Sequence, residues 1–146
     1  MQTVRLVHSS PLWTQMIAFA ENCSWIAGKH FAEMLRKNSF SDWEAAFAAV
    51  DNGKIVGYCT FLKTDYYPEN RYSPWISSIF VDEAARGQRI SHRMIEAVIE
   101  YARECGFEKV YIPSDMDGFY EKCGFTPIDT LKNYGGDVDT IYMKQI

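Results

Sequence analysis

A short run of residues between a predicted strand and a predicted helix has the composition of an anion-binding turn. The strand end and the run comprise Ile79, Phe80 and Val81, then Arg86, Gly87, Gln88, Arg89, Ile90 and Ser91. The first N–H groups of a helix lack intrahelical partners, and the helix dipole places partial positive charge beside them. Gly87 lets the backbone approach a ligand, while Arg86 and Arg89 add full charges. The spacing suits a pyrophosphate-like guest, and the alternative is a plain turn with solvated arginines.

The sequence offers little for thiol or metal chemistry. Its four cysteines are Cys23, Cys59, Cys105 and Cys123. No two have C-x-x-C spacing and no histidine lies at ligand spacing from them, so no metal site is predicted. No histidine has a recognisable partner context for a thiol nucleophile, so the cysteines are predicted to be structural. The chain also lacks the Gly-x-x-x-x-Gly-Lys-Ser/Thr run of a P-loop.

Composition narrows the class of protein. The chain has 146 residues, 47% apolar and 23% charged, which predicts one globular domain over residues 1–146. Its formal net charge is -4 and it has no basic stripe, so nucleic acid is not an expected partner, whereas a cationic amine is compatible. No apolar run reaches membrane-spanning length, and the N-terminus lacks a signal-peptide pattern. We therefore expect a cytoplasmic chain with reduced thiols and no membrane association.

Periodicity places the anion-binding turn inside an α/β architecture. An apolar stripe at helical spacing predicts a long helix over residues 88–105, capped by Gly106. Asn52-Gly53 predicts a type I′ hairpin turn. Strands are predicted at 3–8, 46–51, 55–63, 75–81, 107–112, 125–131 and 138–144, with further helices from residue 11, at 29–37 and at 118–122. We expect a central mixed, mostly antiparallel sheet of about six to seven strands with helices on both faces.

A second motif downstream of the turn gives this segment a family resemblance. The long predicted helix and a short strand are followed by Phe119-Tyr120-Glu121-Lys122-Cys123-Gly124-Phe125. From about Trp75 to Phe125, the order resembles the GNAT family of N-acetyltransferases, whose cofactor loop reads Arg/Gln-x-x-Gly-x-Gly/Ala. Here Arg89 stands at the first glycine position, where we expect a helical backbone, and Ser91 stands at the last small position. The family often has an asparagine after the next strand, but residues 113–118 differ and receive no role.

The resemblance implies an acyltransferase-like fold with acetyl-coenzyme A as cosubstrate and no metal. The family's pantetheine-pairing strand maps onto Ile79, Phe80 and Val81, and its pyrophosphate loop maps onto residues 86–91. A backbone N–H near Phe80 would polarise the acetyl carbonyl. Tyr120 matches the tyrosine that protonates the departing thiolate, with Phe119 beside it in the cofactor site. The amine would attack the thioester directly, without a covalent enzyme intermediate.

The acceptor side of the site is less defined by the sequence. No general base is identified, because the strand predicted at 75–81 carries no carboxylate. Candidate substrate contacts come from the polar, aromatic loop at 64–73 and the strand after it, and they are Asp65, Tyr66, Glu69 and Trp75. The alternatives are that the two acids are solvated loop residues and that Trp75 belongs to the core. A small amine, an amino acid, an antibiotic amine and a protein N-terminus all stay open as acceptors, and a homodimer fits the family. The alternative function is a non-catalytic acyl-coenzyme A sensor or protein-interaction module on the same fold.

Overall fold

The chain alternates strands and helices in the order that the sequence predicts. The computed structural model describes residues 1–114 and 118–146. The strands are β1 (Gln2–Arg5), β2 (Ala45–Asp51), β3 (Lys54–Leu62), β4 (Trp75–Val81), β5 (Lys109–Ser114), β6 (Thr126–Lys132) and β7 (Val138–Gln145). The helices are α1 (Pro11–Asn22), α2 (Gly28–Lys37), α3 (Ile90–Glu104) and α4 (Phe119–Lys122). A 3-10 turn at Glu83–Ala85 is the one addition to the predicted order within the described residues.

The strands of the described residues form one seven-stranded mixed sheet in the order β1-β2-β3-β4-β5-β7-β6. β1 runs antiparallel to β2, and β7 runs antiparallel to both β5 and β6. β4 and β5 are parallel, with Trp75 opposite Tyr111, as expected for strands joined through a helical crossover. The predicted mixed α/β fold is therefore confirmed.

Two local signals fold as predicted. The Ser10 side chain accepts a hydrogen bond from the Trp13 N–H at 3.3 Å, which caps α1 ahead of Pro11. Asn52 and Gly53 have φ values of 50° and 75°, the two positive angles that a type I′ turn requires.

Several strand boundaries differ from the prediction, and turn chemistry explains two of the differences. β1 ends at Arg5 rather than at residue 8, because the Ser10 N–H turns back to the Val7 carbonyl at 3.1 Å. β5 begins at Lys109 rather than at residue 107. Gly106 has a φ of 91° and the Phe107 N–H donates to the Ala102 carbonyl at 3.0 Å, so the cap of α3 uses residues that the prediction gave to the strand.

The chain divides into two compact units, and the first comprises residues 1–60 and 78–97. Its core joins α1, α2 and strand residues, and the buried members are Leu6, Trp13, Met16, Ala20, Phe31, Ala32, Leu35, Ala46, Ala48, Tyr58 and Phe80. The Trp13 indole donates to the Leu35 carbonyl at 3.1 Å, which fixes α1 against α2. Burying the larger aliphatic and aromatic side chains of this core stabilises the fold by about 1.5–3 kcal/mol each.

The second unit comprises residues 61–77 and 98–146. One apolar cluster contains Tyr67, Trp75, Leu131 and Ile141. Phe61 packs edge-on against Tyr101 and Phe107, which ties the end of β3 to the C-terminal half of α3. No described helix in either unit is both long enough and apolar enough to span a membrane.

Candidate active site

β3 lies unusually close to the end of β4, and a glycine makes this approach possible. A Cβ on Gly57 would stand 2.6 Å from the Phe80 carbonyl oxygen and 3.4 Å from the Val81 Cα. The Asp82 N–H donates to the Val56 carbonyl at 2.8 Å and continues the contact past the strand end. Ile79 and Val81 are half-buried while Phe80 is buried. The backbone of Ile79–Val81 is therefore held on one side by a neighbour that carries no side chain at the point of contact.

Ser78 is a feature of β4 that the sequence did not reveal. Its φ is 52°, a left-handed conformation inside a strand and uncommon for a residue with a Cβ. Such a residue turns the backbone locally and re-aims the groups that follow it. No signal marks this position, since serine has no particular preference for left-handed backbone.

The turn between β4 and α3 contains two left-handed residues. Gly87 has a φ of 84° with no atom within 4 Å of an added Cβ, so this part of the turn is open. Arg89 has a φ of 60°, which corrects the expectation that its backbone is helical. α3 accordingly begins at Ile90, not at residue 88, and the Arg93 N–H donates to the Arg89 carbonyl at 3.1 Å. Glycine, which the family motif has at this position, would adopt the same angle without a steric cost.

The charges around this turn favour an anion. Residues 86–89 are exposed, whereas Ile90 is buried and Ser91 is half-buried. The first turn of α3 has no acidic residue. Within residues 1–114 and 118–146, neither Arg86 nor Arg89 forms an ion pair. The turn thus combines unpaired guanidinium charge with the positive end of a helix.

Arg86 also has a structural contact. Its Nε donates to the Val81 carbonyl at 3.0 Å, and its guanidinium carbon lies 5.9 Å from the centroid of the Phe80 ring. The side chain therefore returns to the end of β4, where it faces the same aromatic ring that anchors the strand. This contact limits the positions that the guanidinium can occupy, so its charge stays beside the turn.

Two rings lie nearly parallel to the ring of Phe80. Trp25 lies 6.1 Å from Phe80 with an interplanar angle of 11°, and Tyr58 lies 5.4 Å from Phe80 at 28°. Tyr58 is fully buried, and burial together with the nearby Cys23 raises the pKa of its hydroxyl. Trp25 keeps 36% of its surface exposed, so it is the open edge of this aromatic group.

In the second unit, Tyr120 is buried in an aromatic cluster at the start of α4. Its ring centroid lies 5.0 Å from Phe119, 6.3 Å from Phe125 and 5.7 Å from Tyr142. The helix is short because Gly118 and Gly124 take left-handed angles of 87° and 88° on either side of it. The Phe125 N–H donates to the Tyr120 carbonyl at 3.0 Å, which fixes the backbone of this motif. The predicted Phe-Tyr-x-x-x-Gly-Phe element is thus a tight turn of helix with Tyr120 at its centre.

The loop at residues 64–73 is organised by its own hydrogen bonds. The Asp65 N–H donates to the Asn70 side chain at 3.0 Å, and Asn70 Nδ2 donates to the Tyr67 carbonyl at 2.7 Å. Asp65 Oδ1 accepts from the Tyr66 N–H at 2.7 Å. Burial raises the pKa of the Asp65 carboxyl, with hydrogen bonds from the Tyr66 backbone and the Ser77 side chain acting in the opposite direction.

The four predicted acceptor residues occupy different environments. Tyr66 is 60% exposed, whereas Trp75 is fully buried against the ring of Tyr67 at 5.6 Å. Trp75 therefore lies beneath the loop rather than on its surface. Glu69 is exposed and forms an ion pair with Arg71. Asp65 is partly buried, and among the four it is the carboxylate without a cationic partner in the described residues.

Sequence reasoning missed a residue of this loop region that lies far along the chain. Asp139, on β7, accepts from the Tyr67 hydroxyl at 2.8 Å and from the Asn133 side chain at 3.0 Å. Burial and the Asp139 hydrogen bond raise the pKa of Tyr67. A separation of 72 residues hides the Tyr67–Asp139 contact from any local pattern.

The described residues contain no group of metal ligands, and the thiol of Cys59 is buried. No group of three or more His, Cys, Asp or Glu residues there could hold a metal ion. Cys59 is buried, and burial raises the pKa of its thiol to about 12, which disfavours the nucleophilic thiolate. The segment where the family often has its asparagine, residues 113–118, includes residues 115–117, which lie outside the described residues.

Comparison with known proteins identifies the family to which the chain belongs. Residues 13–125 match the model of the acetyltransferase (GNAT) family. Because the match covers more than half of the chain, the chain belongs to the GNAT acetyltransferase family.

The relatives within this family differ in the acceptors that their names record. Over 52 residues, the chain is 40% identical to glucosamine 6-phosphate N-acetyltransferase 1 of Oryza sativa subsp. japonica. The matched segment covers 34% of this chain and 32% of that protein. The chain thus spans about a third of the length of that curated relative.

Solved structures agree with the fold over almost the whole chain. The aminoglycoside 6'-N-acetyltransferase from Enterococcus faecium has a TM-score of 0.75 at 18% identity, covering 99% of this chain and 97% of that chain. A GNAT family acetyltransferase from Elizabethkingia anophelis with acetyl-CoA bound has a TM-score of 0.69 at 16% identity, with the same coverages of 99% and 97%. At these identities the likeness shows the fold alone.

Proposed function

We propose that this protein transfers the acetyl group of acetyl-coenzyme A to an amine. The observation that carries the proposal is the open turn at residues 86–91. It combines two left-handed residues, an exposed backbone, two arginines without ion pairs in the described residues, and a helix start without acidic side chains. These are the properties that a pyrophosphate requires of a protein backbone.

The residues present fit the cosubstrate. An added Cβ at Gly87 would meet no atom within 4 Å, so no protein atom occupies the space beside this part of the turn. The backbone N–H groups of residues 86–91, with Arg86 and Arg89, would hold the phosphates. The backbone of Ile79, Phe80 and Val81 would pair with the pantetheine arm. Acetyl-coenzyme A, when bound, supplies an activated thioester.

The chain's own groups would then position the reactants and move one proton. The N–H near Phe80 would donate to the acetyl carbonyl oxygen, where negative charge develops as the amine attacks. The new bond joins the amine nitrogen to the carbonyl carbon, and the carbon–sulfur bond breaks. Tyr120 would give its proton to the departing thiolate as a general acid, with Phe119 packing beside it. The attacking nitrogen releases one proton to solvent as the amide forms, and a proton from solvent restores the Tyr120 hydroxyl. The attacking amine must reach the carbonyl as the free base, and direct attack makes positioning the main contribution.

The acceptor would meet the loop at 64–73. Asp65, Tyr66 and Glu69 supply carboxylate and aromatic groups that suit a cationic amine. Trp75 would support the loop from below, since it is fully buried.

A Tyr120→Phe variant tests the catalytic part of this proposal. Loss of the hydroxyl should lower kcat by roughly 100-fold, as expected for a general acid, while the dissociation constant of acetyl-coenzyme A stays unchanged. The assay is thiol release from acetyl-coenzyme A with a panel of amines. Tyr142→Phe is the matched control, because Tyr142 is also buried and its ring packs 5.7 Å from that of Tyr120.

Three outcomes separate the alternatives. A drop in kcat confined to Tyr120→Phe supports the general-acid role. Equal losses in both variants would assign Tyr120 to packing. Tight binding of acetyl-coenzyme A without turnover of any amine would favour the sensor over the enzyme.

A further inference from the structure

The helix that carries Tyr120 is too short to hold itself in place. α4 spans Phe119–Lys122, a single helical turn between two glycines with left-handed φ angles, Gly118 and Gly124. One turn of helix forms few hydrogen bonds for the backbone freedom that it removes, so an isolated turn is unstable in water. The place of the Tyr120 side chain therefore depends on the contacts that the rest of the second unit makes with the two ends of α4.

The start of α4 is closed by a residue of the helix itself, and its end needs a partner. The Glu121 carboxylate accepts from the Gly118 N–H at 3.1 Å. At the other end, the Cys123 and Phe125 N–H groups both donate to the Tyr120 carbonyl at 3.0 Å. The last carbonyls of a helix lack intrahelical donors, so the carbonyl of the cap residue Cys123 takes its donor from elsewhere.

That donor is Lys144, near the end of β7 and 21 residues further along the chain. Its Nζ donates to the Cys123 carbonyl at 3.0 Å. An added Cβ on Gly124 would lie 3.2 Å from both Cε and Nζ of Lys144, so the end of the lysine lies against a residue that has no side chain. Nζ is also 5.9 Å from the centroid of the Phe125 ring, within the range of a cation–π contact. One ammonium group thus contacts three consecutive residues.

The charge of Lys144 is used in an uncommon way. The side chain is half-buried, and removing part of a charged group from water costs free energy unless a partner replaces the water. Within residues 1–114 and 118–146, Lys144 forms no ion pair. Its partners are the Cys123 carbonyl and the Phe125 ring, and a cation beside the last carbonyl of a helix is favoured by the helix dipole. The lysine is therefore placed to hold the end of α4.

The same strand also contacts the Tyr120 side chain directly. Tyr142 and Lys144 are two positions apart on β7, so their side chains lie on the same face of the sheet. The Tyr142 ring packs 5.7 Å from that of Tyr120. The Phe125 ring, which Lys144 approaches, packs 6.3 Å from that of Tyr120. Because β7 is paired with both β5 and β6, these contacts connect Tyr120 to a strand that is fixed on both sides.

We propose that Lys144 is a positioning residue for Tyr120: its ammonium group fixes residues 123–125 and, through them, the place of the Tyr120 hydroxyl. This inference rests on the proposed function, in which that hydroxyl gives its proton to the departing thiolate. Proton transfer requires the donor within hydrogen-bond distance of the acceptor atom, and a small displacement lowers the rate steeply. Lys144 acts on catalysis only through Tyr120.

Hydrogen exchange of backbone amides tests the Lys144 contact without any substrate. Lys144→Met removes the ammonium group and keeps an unbranched stem of similar length. The amides of Cys123, Gly124 and Phe125, which close the end of α4, should exchange about tenfold faster in this variant. Lys132→Met is the matched control, because Lys132 is an exposed lysine of β6, and it should leave those rates unchanged. Wild-type exchange rates in Lys144→Met would overturn the proposal.

A double-mutant cycle tests whether the contact serves Tyr120. Lys144→Met should lower kcat for amine acetylation about tenfold, with the dissociation constant of acetyl-coenzyme A unchanged. In the Tyr120→Phe background, the same substitution should change kcat by less than about twofold, because the hydroxyl that Lys144 positions is gone. Lys144→Arg, which keeps a cationic donor, should recover most of the wild-type kcat. Equal losses in both backgrounds would overturn the proposal, as would a kcat of Lys144→Arg as low as that of Lys144→Met.

The two measurements separate this inference from the proposed function. If the wild type acetylated no amine, the proposed function would fail, while faster exchange in Lys144→Met would still support the placement of Tyr120 by Lys144. If Tyr120→Phe lowered kcat and Lys144→Met did not, the enzyme would stand and the positioning role would be lost. Lys144→Gln, whose amide donor is one atom closer to the backbone, is a second removal variant and should show the same faster exchange.

Discussion

The turn at residues 86–91 and the loop at residues 64–73 are proposed to bind their ligands in opposite ways. The turn works through its backbone, with two left-handed residues at φ values of 84° and 60° and a helix start behind them. The loop works through side chains, with Asp65 held by Tyr66 and Asn70 and with Asp139 contributed from β7. A site built from backbone groups consists of consecutive residues, whereas a site built from side chains combines residues that are distant in the sequence.

This difference has a consequence for ligand choice. A backbone turn offers N–H groups and a dipole, which suit a phosphate of any attached molecule. Side chains offer charge and shape, which discriminate between acceptors. The region that relatives share is therefore expected to be the turn, and the region that distinguishes this chain is expected to be the loop.

Gly57→Ala tests the backbone side of the comparison and has the largest expected effect on stability. The new Cβ would meet the Phe80 carbonyl oxygen at 2.6 Å, a contact that only a shift of backbone can relieve. Overpacking of this kind costs about 1–3 kcal/mol, and the shift should also weaken acetyl-coenzyme A binding. Urea denaturation and calorimetry measure the two effects.

Gly135→Ala is the matched control in the loop region. Its nearest contact would be the Asn133 side-chain oxygen at 3.1 Å, a longer contact than the one at Gly57 and one made with a side chain rather than with backbone. We expect a much smaller loss of stability there. Equal losses at the two positions would show that β3 and β4 are not locked together at Gly57.

A comparison of Arg89→Gly with Arg89→Ala tests the backbone conformation of the turn, with a smaller expected effect on stability than Gly57→Ala. A side chain at a left-handed position costs roughly 1–2 kcal/mol, which glycine avoids. Arg89→Gly should therefore be more stable than Arg89→Ala by about 1 kcal/mol, the reverse of the order inside a helix. The measurement is chemical denaturation of both variants, with Ser91→Gly and Ser91→Ala as the reference pair inside α3. A more stable alanine at position 89 would contradict the left-handed angle.

The sequence predicted the fold well where local patterns control it. The element order, the Ser10 cap and the Asn52-Gly53 turn follow from residue types a few positions apart, and all are confirmed. The start of α3 was placed two residues early because Arg89 was expected to be helical. Arginine gives no sign of a left-handed angle, and the surrounding turn imposes it.

The parts of the candidate site that consist of neighbouring residues in the sequence were predicted, and the parts that combine distant residues were not. The turn and the Tyr120 element lie in short motifs, which is why the sequence marked them. Trp75 was predicted either to contact the acceptor or to lie in the core, and it is fully buried because the rings of Tyr67, Tyr72 and Tyr111 cover it. Asp139 was not considered, since only the pairing of β7 within the sheet brings it to Tyr67.

The central claim is that the turn at residues 86–91 binds the phosphates of acetyl-coenzyme A. Calorimetric titration of the purified protein with acetyl-coenzyme A, repeated with Arg86→Glu, tests it most directly. The account predicts micromolar binding by the wild type and a loss of at least about tenfold in Arg86→Glu, because the variant replaces an attractive charge by a repulsive one. A folded wild-type protein that does not bind acetyl-coenzyme A would contradict the claim, as would an Arg86→Glu variant that binds it as tightly as the wild type.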